Sequence, residues 1–110
     1  MGVRLILKDN CLTAVLSGEI DHHAASRIRC EIDETASKVK PEKLVIDFSN
    51  VQFMDSSGIG LIMGRCKLMD IWGGRVEVAN MPPKIEKIVS LAGIGKLCSI
   101  REGKINEADK

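Results

Sequence analysis

The chain has 110 residues, 45% of them hydrophobic and 28% charged, which suits one water-soluble globular domain with a single core. Sixteen Lys and Arg against fifteen Asp and Glu give a net charge of +1 without any block of one sign. That argues against the basic stripe of a nucleic-acid binder and the polybasic patch of an anionic-membrane binder. Aromatics at 3% argue against a base-stacking platform, and no apolar run approaches the roughly 20 residues of a membrane span.

Across 3–7, Val3, Leu5 and Leu7 alternate with Arg4 and Ile6, which predicts a half-buried strand. Asp9-Asn10 is a turn pair, and 11–17 resumes strand character with Thr13 and Val15. The two segments are therefore expected to form an antiparallel hairpin. Residues 17–21 read as a loop ending on Asp21, a side chain suited to capping the next helix. That helix carries Ala25, Ile28, Ile32, Ala36 and Val39 on one face, and Pro41 ends it. Residues 44–48, Leu-Val-Ile-Asp-Phe, are apolar almost throughout, as in a strand covered on both faces. They lead through 49–53 into the run Asp55-Ser56-Ser57-Gly58.

Asp and Ser are N-cap residues, because a short side-chain oxygen accepts from the free N–H groups of a helix's first turn. Ile59, Ile62, Met63, Cys66 and Met69 then recur at steps of three and four. A helix is expected to start at Ser56 or Ser57 with a hydroxyl at its positive end, where a phosphate is electrostatically favoured. Gly58, Gly60 and Gly64 each cost about 1 kcal/mol against Ala inside a helix, so close approach to a sheet is expected at them. Gly73-Gly74 marks a turn, and 75–79 alternates as a further strand. Pro82 or Pro83 suits the first turn of a third helix, with Ile85, Ile88, Val89 and Ala92 as its buried face. Gly93-Ile94-Gly95 closes it, 97–100 reads as a short strand, and the last ten residues are polar. Strands alternating with helices imply an α/β layer with right-handed crossovers, as one domain over 1–110.

Cys11, Cys30, Cys66 and Cys98 are far apart, and the first three lie among apolar neighbours, so they read as small core or near-core residues, with disulfides left open by counting alone. Without close-spaced ligand pairs, and with only the adjacent His22 and His23 as histidines, no metal or cofactor is expected. The opening Met1-Gly2-Val3-Arg4 does not read as a signal peptide, and Ile6 stands where myristoylation wants Ser or Thr. A cytoplasmic location follows as the expectation. The nucleophile elbow Gly-x-Ser-x-Gly is missing around Ser56 and Ser57, and Gly58-Ile59-Gly60 lacks the third glycine of a dinucleotide loop at Met63. No catalytic residue is expected.

The segment Phe53-Met54-Asp55-Ser56-Ser57-Gly58-Ile59-Gly60 resembles the phosphorylation segment of anti-sigma factor antagonists, a branch of the STAS-domain family. Gly18-Glu19-Ile20-Asp21-His22-His23 resembles the upstream loop of the family's sporulation sigma-F members. The resemblance in element order runs from about residue 3 to residue 100. It implies a mixed four- to five-stranded sheet with an N-terminal hairpin and three to four helices. It also implies a switch in place of an enzyme. The unphosphorylated antagonist docks on an anti-sigma factor that is also a serine kinase, with ADP or ATP bound, and frees the sigma factor. Phosphorylation on the residue matching Ser57 inactivates it, and a PP2C-like phosphatase resets it. Asp55, Ser56 and Gly58 beside the acceptor, and Asp21, His22 and His23 upstream, are the implied docking residues, with no nucleic acid and no membrane involved.

A phosphate on Ser57 would add about −1.5 to −2 charges. The helix's first N–H groups are expected to hold it, while Asp55 opposes it. Asp21 as a helix cap and nothing more remains open beside docking. So do a ligand-sensing STAS module without phosphorylation and a small hydrolase using Ser57 and His22.

Overall fold

The computed structural model describes residues 2–96 and the backbone of 99–100. Strands β1 (Gly2–Lys8) and β2 (Cys11–Ile20) form the expected antiparallel hairpin. Its two-residue turn puts both Asp9 and Asn10 at positive φ, 51° and 63°, the geometry that matches strand twist and that Asn and Asp tolerate. Then follow α1 (His22–Val39), β3 (Lys43–Met54), α2 (Ser56–Ile71), β4 (Arg75–Ala79), α3 (Pro83–Leu91), a 3₁₀ turn (Ile94–Lys96) and β5 (Ser99–Ile100). The sheet runs β1-β2-β3-β4-β5, with every pair after the hairpin parallel. Parallel neighbours need crossovers, and the three helices supply them.

The core lies between α1, α2 and one face of the sheet. Leu12, Ala14 and Leu16 of β2, Leu44, Ile46 and Phe48 of β3, and Val76 and Val78 of β4 meet Ile28 and Ile32 of α1 and Leu61 and Ile62 of α2. The alternate residues of the same strands form the helix-free face, where Lys43 Nζ and Glu77 Oε2 pair at 2.9 Å. α1 ends on Lys40, at φ 43°, whose N–H donates to the Ala36 carbonyl, so the chain has already turned when Pro41 arrives. Val39, expected on the buried face, is 38% exposed.

Two segments read as connectors are strand. Residues 17–20 continue β2 and 49–54 continue β3, paired as far as Ile20 with Met54. Register irregularities between Val15 and Ser17 and between Gly18 and Glu19 interrupt the period of two, with Gly18 at φ 87°. The pairing satisfies these backbones although the local pattern does not advertise a strand.

The α2 face is also rotated from expectation. Gly58, Leu61, Ile62, Arg65 and Met69 point inward, Ile59 and Cys66 are partly buried, and Met63 is exposed. Arg65 occupies the inner face because it meets Asp33 of α1. Its Nε lies 2.9 Å from Asp33 Oδ1, within ion-pair range but too poorly aligned for a hydrogen bond. Burial pushes the Arg65 guanidinium below its ordinary pKa and Asp33 pulls it back. Of the cysteines, Cys11 is half-buried, Cys30 is exposed and not near-core, and Cys66 is near-core as expected and disulfide-bonded, the possibility that counting left open. Leu97, Cys98 and the last ten residues lie outside the described residues.

Candidate functional site

β2 and β3 run parallel, so the helices that follow them begin at the same end of the sheet. The Asp55 N–H donates to the Ile20 carbonyl at 3.2 Å, tying the two strand-to-helix turns together. Each turn uses an aspartate in the same way. Asp21 Oδ1 accepts from the Ala24 N–H at 2.8 Å and Asp55 Oδ1 from the Ser57 N–H at 2.8 Å, both from extended backbone with φ near −96°. The bond from Ala24 holds the Asp21 carboxyl below the usual carboxylate range. Capping by Asp21 is thus realised in the fold.

The first turn of α2 sits directly over the end of β3. A Cβ on Gly58 would overlap the Cγ and Sδ of Met54, so glycine is what allows this approach. Gly60 and Gly64, expected to serve likewise, face open space. The close seat at Gly58 fixes where the neighbouring hydroxyls go. Ser57 is half-buried at the mouth of a cleft between α1 and α2, and Ser56 is exposed.

This cleft encloses about 250 Å³. His22, Ala25, Ser26 and Arg29 of α1 form one wall, and Ser57, Gly60 and Leu61 of α2 form the other. The fold therefore brings His22 to Ser57, as the sequence allowed. His23 is exposed outside the cleft, its ring 5.9 Å from that of His22 in an edge-on arrangement. Among the described residues no hydrogen bond joins Ser57 Oγ to His22, so the nucleophile-to-base contact that the hydrolase reading needs is not assembled.

Ser26 and Arg29 were not singled out from the sequence. Their spacing from His22, four and seven residues, places all three on one helical face, and that spacing was the available signal. Phe53, 52% exposed just before the turn, and Met63, on the outer side of α2, add apolar surface.

A model of the STAS-domain family matches residues 3–106. The anti-sigma F factor antagonist of Paenibacillus polymyxa is 37% identical over 91 residues, covering 83% of this chain and 78% of that protein. The anti-sigma-B factor antagonist of Bacillus subtilis is 25% identical over 92 residues, covering 84% and 83%. The solved structure of the unphosphorylated anti-sigma factor antagonist SpoIIAA superposes with a TM-score of 0.82 at 28% identity, over 98% of this chain and 91% of that one. The phosphorylated form of the Bacillus cell fate determinant SpoIIAA gives 0.75 at 28% identity, over 98% and 95%. With the expected fold, a family match over nearly its whole length and a relative of this similarity, the chain belongs to the anti-sigma factor antagonists of the STAS-domain family.

Proposed function

We propose that residues 1–110 form one STAS domain that acts as a phosphorylation-switched anti-sigma factor antagonist in the cytoplasm. In its unphosphorylated form it docks on an anti-sigma factor that is also a serine kinase with bound ADP or ATP, and the sigma factor is released. Ser57 is the acceptor. Its Oγ attacks the γ-phosphorus of ATP, the Oγ–P bond forms, and the bond from that phosphorus to the bridging oxygen breaks. ADP leaves, and the hydroxyl proton passes to a base of the kinase. A PP2C-like phosphatase returns the hydroxyl by hydrolysis. The chain contributes no catalytic group to either step.

The observation that carries this reading is the pairing of Ile20 with Met54, which sets the Asp21 turn beside the Ser57 turn on one surface. A kinase gripping that surface meets Asp21, His22 and His23 along with Asp55 and Ser56, whereas Gly58, implied as a docking residue, is buried against Met54 and acts by seating the turn. In a reducing cytoplasm Cys66 would stand as a thiol, and α2 keeps its position through Leu61, Ile62 and Met69 in the core. No helix of the described residues is long and apolar enough to cross a membrane.

The test is incubation with the cognate kinase, ATP and Mg²⁺, followed by mass spectrometry. One added phosphoryl group, absent from Ser57→Ala, is the expected result, with Ser57→Ala still able to bind the kinase. An unmodified chain would sink the proposal. A concavity of about 570 Å³ on the helix-free sheet face, lined by Arg4, Lys8 and Arg75 and also by Asp9, Glu42 and Asp47, favours a second reading as a ligand-sensing module. That reading expects a thermal shift with a small anion and no phosphorylation.

A further inference from the structure

We infer that Arg29, assisted by His22, is the phosphate-holding residue of the modified protein: its guanidinium closes across the α1–α2 cleft onto the phosphate of phosphorylated Ser57. This inference rests on the modification of Ser57 proposed above. The helix terminus alone is poorly supplied with donors for that anion. The Ser57 N–H already bonds the Asp55 carboxylate and the Gly58 N–H bonds the Asp55 carbonyl. The carboxylate that occupies the first of these also repels a phosphate next to it. The expectation that the first-turn N–H groups hold the phosphate is therefore incomplete, and the counter-charge has to come from the facing helix.

That helix presents one. Arg29 and His22 line the cleft with Ser57, and the hydroxyl-bearing Ser26 stands between them on the same wall. Arg29 enters no ion pair among the described residues. It lies near enough to Arg65 to disfavour that side chain's positive charge. The carboxylate facing Arg65, that of Asp33, is already in contact with it. Of the two neighbouring guanidiniums, Arg65 is buried and engaged with Asp33, and Arg29 is the exposed one. A guanidinium offers two parallel donors that match phosphate oxygens, and a long side chain rooted on α1 can swing without moving the backbone. In the unmodified protein the same side chain stands solvated at the cleft mouth.

The test uses the full chain with phosphoserine incorporated at position 57 during translation. No kinase is then required, so failure of the kinase step and failure of this inference are distinguishable. The phosphorus NMR shift is followed against pH to give the second pKa of the phosphate, about 6 in free phosphoserine. The groups around it are Arg29 from α1, whose charge favours the dianion, the polar ring of His22 on the same wall, and the carboxylates of Asp55 from its own turn and Asp21 from the neighbouring turn, which oppose it.

Expected is a titration midpoint about half a unit to one unit lower in the wild-type chain than in Arg29→Gln, with partial exposure limiting the shift. Arg29→Lys should fall between them, because an ammonium keeps the charge and loses the paired donors. Arg27→Gln, altering an exposed α1 arginine outside the cleft, should leave the midpoint unchanged. Equal midpoints for wild type and Arg29→Gln, with both chains melting alike, overturn the assignment. A shift in Arg27→Gln as large as that in Arg29→Gln also overturns it, since general surface charge would then be the cause.

Discussion

At the scale of single residues, the site is two aspartates used alike and one serine placed by the second of them. Asp55 fixes the first turn of α2 through the Ser57 N–H, so its loss frees both the helix terminus and Ser57, the proposed acceptor. Asp55→Ala should lower stability by about 1 kcal/mol, and Asp55→Asn by less, because the amide oxygen can still accept. Urea melts of the two variants check this. Asp21 is a more exposed cap, and its role shows in acid. Its folded pKa lies below the ordinary value of 3.8 because the Ala24 N–H favours the carboxylate. The folded state therefore binds fewer protons than the unfolded chain in that range, and stability rises with pH there. The contribution is present above about pH 3.8 and is lost as pH falls through the depressed folded value. Asp21→Asn should flatten the acid limb of a stability-against-pH curve and leave the neutral plateau nearly level. If that variant loses kinase binding while melting as the wild type does, the Asp21 turn is a docking surface as well as a cap.

At the scale of elements, α2 carries the argument, and it is where sequence and fold part company. Three glycines, Gly58, Gly60 and Gly64, look equivalent along the chain, because each lowers helix propensity by a similar amount. Only the tertiary seat separates them. Gly58 lies against Met54, whereas Gly64 has nothing within 4 Å of its missing Cβ. Gly58→Ala should therefore destabilise by about 1–3 kcal/mol through overpacking, and Gly64→Ala should stabilise by roughly 0.5–1 kcal/mol. Opposite signs in thermal melts confirm the distinction; equal signs contradict it.

The rotated inner face of α2 has the same origin. The helix is apolar on several sides, so a period-3.6 count cannot choose among faces, and nothing in that count points to the charged Arg65 as an inward residue. Its partner Asp33 is on another helix, and no local pattern reveals that pairing. By contrast the caps Asp21 and Asp55, the turn at Asp9-Asn10 and the strand at 75–79 were legible, because each depends on chemistry within a few residues. Ser57 as acceptor came from family resemblance, since Ser56 and Ser57 are chemically alike in sequence. Their different burial, one exposed and one at the cleft mouth, is a property of the fold alone.

At the scale of the whole molecule, the question is how the proposed phosphate would change what the protein binds. The parallel β2–β3 ladder, the Asp55-to-Ile20 bond and the Asp33–Arg65 pair hold α1 and α2 at the site with the main core beneath them. A group added at Ser57 shares its cleft with the exposed side chains of Arg29 and His22. The chain superposes on both the unphosphorylated and the phosphorylated SpoIIAA structures, with TM-scores of 0.82 and 0.75, so one fold is similar to both forms. On the proposed switch, blockade of the docking surface would suffice without refolding. A phosphate facing an acidic or apolar partner surface without a new cation has only to cost the complex about 1.4 kcal/mol to weaken it tenfold. In amide NMR spectra recorded with and without phosphoserine at position 57, the large changes should be confined to 20–30 and 53–62. The core of β4, Val76 and Val78, should keep its shifts and its slow hydrogen exchange. Widespread changes reaching β4 would mean that the signal is carried by repacking, and the electrostatic and steric account would have to be abandoned.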